Sequence, residues 1–128
     1  MRINTDVANS SFLLICMLAT PTEDEVSEFL TKLDFVYQTS PPGFGIFIDL
    51  SAIQVSVADF WIALKIGMFF SQMDMELRKK PTQGIVIITQ SEIACEFTNR
   101  VVSMFHSPVP VSCCSSLRDA QQKHPSKA

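Results

Sequence analysis

The sequence is poor in the residues from which nucleotide and metal sites are commonly built. Only four of its 128 residues are glycine, and none stands at the GxGxxG or GxxxxGK spacing of a phosphate-binding loop. The two histidines, His106 and His124, have no ligand spacing, and the four cysteines include no CxxC pair. A zinc site needs such spacings. We therefore expect neither a metal ion nor a cofactor.

Charge is also scarce. Charged residues make up 18% of the chain and the formal net charge is −3, whereas proteins average about 25% charged residues. A nucleic-acid-binding surface needs a basic stripe, and the only basic run, Arg78–Lys80, is better explained as closing a helix C-terminus. No apolar run approaches the roughly 20 residues that span a bilayer. We expect no nucleic-acid partner and no membrane span.

The cysteines favour a reducing compartment. Cys16 and Cys113 fall in predicted strands and Cys95 in a predicted helix, which is typical of small buried side chains in a cytoplasmic protein. Cys113 and Cys114 are adjacent on a strand and should point to opposite faces of the sheet. One alternative stays open, namely that the apolar residues 11–19 are a signal segment rather than a strand.

The hydrophobic pattern predicts one α/β domain over residues 1–128, with a core of about 11–122 and a frayed tail at 123–128. Predicted strands span residues 2–7, 11–19, 44–50, 84–89 and 109–113. The first predicted helix begins after Thr20 as its N-cap, with Pro21 and Glu23 in its first turn. The second runs from Ser56 or Val57 toward Lys80. The last two span residues 91–106 and 117–122. The order ββαβαβαβα predicts four helices and a mostly parallel sheet of about five strands.

Three segments resemble the STAS domain, the SpoIIAA-like fold of the bacterial anti-sigma-factor antagonists. Ile46–Ile53 (IFIDLSAI) is similar to the family's apolar strand ending in Asp-Leu-Ser, and Gly84–Ile88 is similar to its next strand. Pro110–Val111 and Ser116–Ala120 are similar to its last strand and helix. The resemblance covers about Ser11–Gln122. It implies a non-enzymatic regulatory module that binds a protein partner.

The chain departs from the family at its regulatory site. The family's regulatory members carry an Asp-Ser or Asp-Thr pair where the helix after the Asp-Leu-Ser strand begins, and a kinase phosphorylates the hydroxyl. Here the stretch Gln54–Asp59 reads QVSVAD, without that pair. Ser56 is the nearest candidate phosphoacceptor, and a helix N-cap is the role we favour for it. The resemblance thus favours a divergent relative over a working sigma-cascade antagonist. The architecture also resembles the lipid-binding CRAL-TRIO domains, which leaves an apolar-ligand carrier as the alternative.

The carboxyl edge of the predicted sheet is where open α/β sheets usually place ligands. Asp49 ends a strand there and Asp59 follows nearby, so the two carboxylates could form a hydrolase-like acid–base pair or hold a cation. We favour the simpler role, in which each carboxylate serves its own loop or helix start, and expect no enzyme. The candidate partner-binding loop residues are Asp49, Ser51, Gln54, Ser56, Asp59, Thr89 and Ser91.

The segment Phe60–Phe70 is apolar nearly all round, whereas a helix lying on a sheet usually shows one apolar stripe. One sheet face cannot cover all of it, so the excess must meet a neighbouring helix, a second subunit or a ligand. The interface candidates for a homodimer are Trp61, Lys65, Met68 and Met75. A carrier would need a cavity of roughly 300 Å³ or more between helix and sheet, whereas an interaction module would have a packed interior.

Overall fold

The computed structural model describes residues 2–4 and 12–123, with side chains from 12 to 122. Within them lie five strands, β1 Arg2–Asn4, β2 Phe12–Cys16, β3 Gly45–Asp49, β4 Ile85–Ile88 and β5 Val111–Cys114. The helices are α1 Glu23–Thr39, α2 Phe60–Gln72, α3 Met75–Arg78, α4 Glu92–Phe105 and α5 Leu117–Lys123, with a 3₁₀ turn over Val57–Asp59. Parts of the predicted first strand (residues 5–7) and tail (124–128) lie outside the described residues.

The strands form one sheet in the order β1-β2-β3-β4-β5, with β2 to β5 parallel and β1 antiparallel to β2. The predicted, mostly parallel α/β sheet is confirmed. Each crossover steps to the adjacent strand in the same direction. Because such crossovers are right-handed, the connecting helices α1 to α4 all lie on one face of the sheet. Helix α5 lies on the other face, against β3, β4 and β5.

Alternating side chains along each strand separate two hydrophobic cores. On the face of α1 to α4, Ile15, Ile48 and Ile87 pack beneath the helices. On the opposite face, Phe12 and Phe47 stack with their ring centroids 4.2 Å apart. The Phe12 ring lies directly over Gly45, where an added Cβ would collide with it. Gly45 is therefore required for this close approach.

The start of α1 differs from the prediction. Thr22, not Thr20, is the N-cap: its hydroxyl accepts a hydrogen bond from the Glu25 N–H, and the Glu25 carboxylate accepts one from the Thr22 N–H. Hydrogen bonding of the Glu25 carboxylate to Thr22, chiefly to its backbone N–H, lowers the pKa of Glu25. The predicted capping box at Glu23 was wrong by two residues. The observed start places three acidic side chains in the first turn of α1, where they suit the helix dipole.

The predicted long helix up to Lys80 is broken into three pieces. A 3₁₀ turn precedes α2, and Met73 then adopts an extended backbone (φ −76°, ψ 143°) that separates α2 from α3. The Met73 side chain packs against the core, which offsets the loss of helical hydrogen bonds. The described residues therefore contain five α-helices rather than four. The break redirects the chain so that Arg78, at the end of α3, is buried.

Candidate functional site

Helix α2 touches α4 at two points along one side. The rings of Phe60 and Phe97 lie 4.8 Å apart between centroids. About two helical turns after Phe60, Gly67 packs against Val101 and Phe105. A Cβ built on Gly67 would stand 2.6 Å from a side-chain carbon of each. Gly67 is buried because the two helices approach so closely there. Helices α2 and α4 thus meet above the sheet as one cover.

An apolar cavity of about 190 Å³ lies between this cover and the sheet. Its volume exceeds the roughly 150 Å³ of an engineered apolar cavity that binds benzene, and it falls below the roughly 300 Å³ expected for a drug-sized ligand. Ala63 of α2 and Ala94 of α4 face it with only methyl groups, which leaves the space open. Other lining residues include Ile48, Ile87 and Val111 from the sheet, Ile62 and Ile66 from α2, and Val102 from α4. We call this space the α2–α4 cavity.

Two charged residues, Asp59 and Arg78, line the cavity, and Arg78 is nearly buried. Arg78 is 9% exposed, and its Nη2 donates hydrogen bonds to the carbonyl oxygens of Phe105 and His106 at 3.1 and 3.3 Å. These carbonyls end α4, where the helix dipole is negative. The Arg78 Nε is buried and has no hydrogen-bond partner among the described residues. The guanidinium is therefore only partly satisfied.

The same end of the cavity holds a buried phenol. Tyr37 lines the cavity and is 1% exposed. Burial raises the pKa of Tyr37 well above its ordinary value, and the Arg78 charge opposes part of this increase. Lys80, from the same basic run, donates from Nζ to the carbonyl oxygens of Tyr37 and Ser40. The basic run closes helix C-termini, as expected. Arg78 bonds to the end of α4 and Lys80 to the end of α1, both neighbouring helices.

The two predicted carboxylates, Asp49 and Asp59, have separate hydrogen-bond partners. Asp49 accepts hydrogen bonds from the N–H and hydroxyl of Ser51, and Asp59 accepts them from the N–H and hydroxyl of Ser56. Each carboxylate therefore closes its own turn, the role we favoured. Gln54 lies exposed between these turns. Ser56 is an exposed N-cap of the 3₁₀ turn, and its phosphorylation stays a prediction.

The predicted loop residues after β4, Thr89 and Ser91, position the start of α4. Thr89 is 4% exposed, so little of it can reach a partner, and its hydroxyl accepts a hydrogen bond from the Ser91 N–H. The Ser91 hydroxyl in turn accepts one from the Ala94 N–H and caps α4. Both residues thus fix where α4 begins, and with it the position of Ala94 over the cavity. Partner binding through them stays a prediction.

The predicted interface residues lie on the outer side of α2 and on α3. Trp61 is 37% exposed, Met68 50% and Met75 42%. Lys65 forms an ion pair with Glu23 of α1 (Nζ–Oε1 3.1 Å), and its Nζ lies 6.0 Å from the Trp61 ring centroid. We call Trp61, Lys65, Met68 and Met75 the outer α2 face. It is the apolar surface that remains after α2 has packed against α4 and the core.

Comparison with known proteins gives a fold. No family model matches the chain, and no curated protein matches it. A solved structure of an uncharacterised DUF3478-family protein from Shewanella loihica PV-4, with a SpoIIAA-like fold, superposes with a TM-score of 0.56. The alignment covers 88% of this chain and 83% of that one. This chain has a SpoIIAA-like fold. At 19% identity the similarity shows the fold alone, which is the fold that the STAS resemblance implied.

The described residues contain no group of three or more histidine, cysteine or acidic side chains placed to hold a metal ion. None of their helices combines the length and apolar character that crossing a bilayer demands.

A pair of thiols between α4 and β5 was missed at the sequence level. Cys95 and Cys113 are neighbouring thiols, and a hydrogen bond joins them. Burial, followed by the contact with Cys95, raises the pKa of Cys113 to about 12. Cys113 belongs to the core under α1 to α4, whereas Cys114 belongs to the opposite core, as the alternation of strand side chains predicted. Only the packing of α4 on β5 brings Cys95 to Cys113.

The raised pKa makes Cys113 slow to alkylate. At pH 8 its thiolate fraction is about 2,000-fold smaller than that of an ordinary thiol of pKa near 8.5. We expect iodoacetamide to modify Cys113 correspondingly slowly, with a rate that rises about tenfold per pH unit between pH 7 and 10. Peptide mass spectrometry measures the rate, with Cys113→Ser as the control for peptide assignment. A rate that levels off below pH 10 would show an ordinary thiol.

Proposed function

We propose that this SpoIIAA-like domain is a non-enzymatic binding protein that holds a small apolar molecule in the α2–α4 cavity. The observation that supports the proposal is the cavity itself, about 190 Å³ in volume and lined almost entirely by carbon. Lining atoms around an empty apolar space lack contacts that a ligand would restore. The volume is below the roughly 300 Å³ that we expected of a lipid carrier. It suits a molecule between benzene and a short alkyl chain in size, so the proposed ligand is smaller than a whole lipid.

The expected affinity is modest. A ligand that buries roughly 200 Å² of apolar surface gains about 5 kcal/mol at about 25 cal/mol per Å². Loss of translational and rotational freedom opposes this gain. The gain alone would give a dissociation constant of about 0.2 mM, so after this loss we expect dissociation constants of about 1 mM or weaker for simple apolar probes.

Isothermal titration calorimetry with 1-octanol at several temperatures tests the proposal. We expect saturable binding to one site per chain and a negative heat-capacity change, which marks burial of apolar surface. Hexane-1,6-diol is the matched control, because its second hydroxyl would be buried without a hydrogen-bond partner. Absence of saturable binding, or equal affinity for the two alcohols, would refute an apolar site.

A second candidate function is the partner-binding role implied by the STAS resemblance. It is favoured by the outer α2 face, where a tryptophan and two methionines are partly exposed. Aromatic residues and methionine are enriched at protein interfaces. Under this proposal the face joins two copies of the chain or docks a regulatory partner, and the cavity is incidental.

The homodimer is tested by Trp61→Glu. We expect the wild type to be dimeric and the variant to be a folded monomer, because a buried unpaired carboxylate strongly opposes association. Size-exclusion chromatography with light scattering measures the mass, and circular dichroism checks the fold. Phe35→Glu is the matched control, since Phe35 is 67% exposed on α1, away from this face. A wild type that is monomeric at all accessible concentrations would contradict the homodimer.

A further inference from the structure

We propose that the ligand of the α2–α4 cavity is an amphipathic anion, a short apolar molecule carrying a carboxylate that pairs with Arg78. This inference rests on the proposed function, whose ligand class it narrows. It is carried by a nearly buried cation at the wall of a mostly apolar cavity. The other charged lining residue, Asp59, already accepts hydrogen bonds from Ser56.

The state of Arg78 is unusual for a buried charge. Charged side chains are almost never fully buried unless they are paired. The ion pair found among the described residues joins Lys65 to Glu23 on the protein surface, so no described carboxylate neutralises Arg78. Two α4 carbonyls accept hydrogen bonds from its Nη2, but they are neutral groups, and its Nε–H stays without an acceptor. The guanidinium thus has a charge left to neutralise.

The missing partner must be a negatively charged acceptor that can enter the cavity. A carboxylate accepts charge-assisted hydrogen bonds from a guanidinium, which are stronger than neutral ones. Tyr37 lines the same cavity and feels the Arg78 charge. Its phenol stays protonated because burial disfavours the phenolate, so it can add a second donor. The remaining wall requires the rest of the ligand to be apolar.

Octanoate and 1-octanol have chains of equal length, so a comparison of their affinities separates the effect of charge from that of apolar burial. Without a cation, the cavity would bind octanoate more weakly than 1-octanol, because a buried unpaired carboxylate is costly. With Arg78 as partner, we expect octanoate to bind at least about tenfold more tightly than 1-octanol in calorimetry. In Arg78→Met the order should reverse. Arg100→Met is the control, since Arg100 is exposed on α4, and it should retain the wild-type order.

A measurement on the wild type avoids any dependence on the folding of Arg78→Met. The ¹⁵Nε–H resonance of Arg78 should shift when octanoate is added and move much less with 1-octanol. If 1-octanol binds but octanoate binds no more tightly, or the Nε–H resonance is unmoved, the anion proposal is overturned and the apolar site remains. If neither molecule binds, both proposals fail. A loss of affinity in Arg78→Met that is equal for both ligands would assign Arg78 a purely structural role.

Discussion

Replacing Ala63 with leucine is expected to weaken 1-octanol binding at least tenfold and to stabilise the empty protein. Ala63 faces the α2–α4 cavity from α2, and the three added carbons would occupy the space that the ligand needs. Leucine is also a good helix former. Filling a cavity commonly adds about 0.5–2 kcal/mol of stability, which corresponds to a melting temperature about 2–6 °C higher. Calorimetric titration and thermal unfolding measure the two effects.

The control for Ala63→Leu is Ala58→Leu. Ala58 is exposed in the 3₁₀ turn before α2 and does not line the cavity, so this variant should keep wild-type binding. Binding in Ala63→Leu that matches the wild type would place the ligand elsewhere. A large loss of stability would show that the space beside Ala63 is already filled.

Gly67→Val is expected to destabilise the fold by about 2 kcal/mol. Its Cβ would stand 2.6 Å from side-chain carbons of Val101 and Phe105, and neither of these stiff side chains can move aside freely. Overpacking of this kind costs about 1–3 kcal/mol. The variant should push α2 away from α4 and open the cover of the cavity. Denaturant unfolding measures the loss of stability.

Two matched variants separate crowding from helix propensity. Gly67→Ala introduces a smaller crowding cost, and the higher helix propensity of alanine offsets about 1 kcal/mol of it, so we expect a smaller loss than for valine. Met68→Val places the same branched side chain one residue later, at a position 50% exposed, and should be nearly neutral. A Gly67→Val variant as stable as Met68→Val would mean that α2 and α4 do not approach closely.

Most of the fold could be predicted because its strands are short, strongly apolar runs. Residues 84–89 contain only one polar side chain, and they include β4 (Ile85–Ile88), which is buried on both faces. The ends of the helices were less predictable. Thr20 and Thr22 are equally good N-caps by type, and the choice depends on the packing around them. The break at Met73 carries no proline or glycine signal, and the Met73 side chain is partly buried against the core.

The candidate site could be predicted only in part. Apolar residues all around α2 indicated more than one neighbour, and the structure provides them in α4, the core and the cavity. The cavity itself could not be predicted, because its volume depends on how far α2 and α4 stand above the sheet. The environment of Arg78 could not be predicted either, since its partners Phe105 and His106 are distant in sequence. The basic run indicated only that these cations close helices.

The two proposed functions use different sides of α2. Its inner side contributes Ile62, Ala63 and Ile66 to the cavity. Its outer side presents Trp61 and Met68 to solvent. A ligand in the cavity would therefore touch residues that a docked partner does not.

The most direct test of the cavity as the binding site is a set of intermolecular nuclear Overhauser effects between 1-octanol and methyl-labelled wild-type protein. Binding in the α2–α4 cavity predicts effects to the methyl groups of Ile87 in β4, Ile66 in α2 and Val102 in α4, which line it from three sides. Effects confined to the exposed methyl groups of Met68, Met75 and Met104 would contradict it, because 1-octanol would then lie on the protein surface.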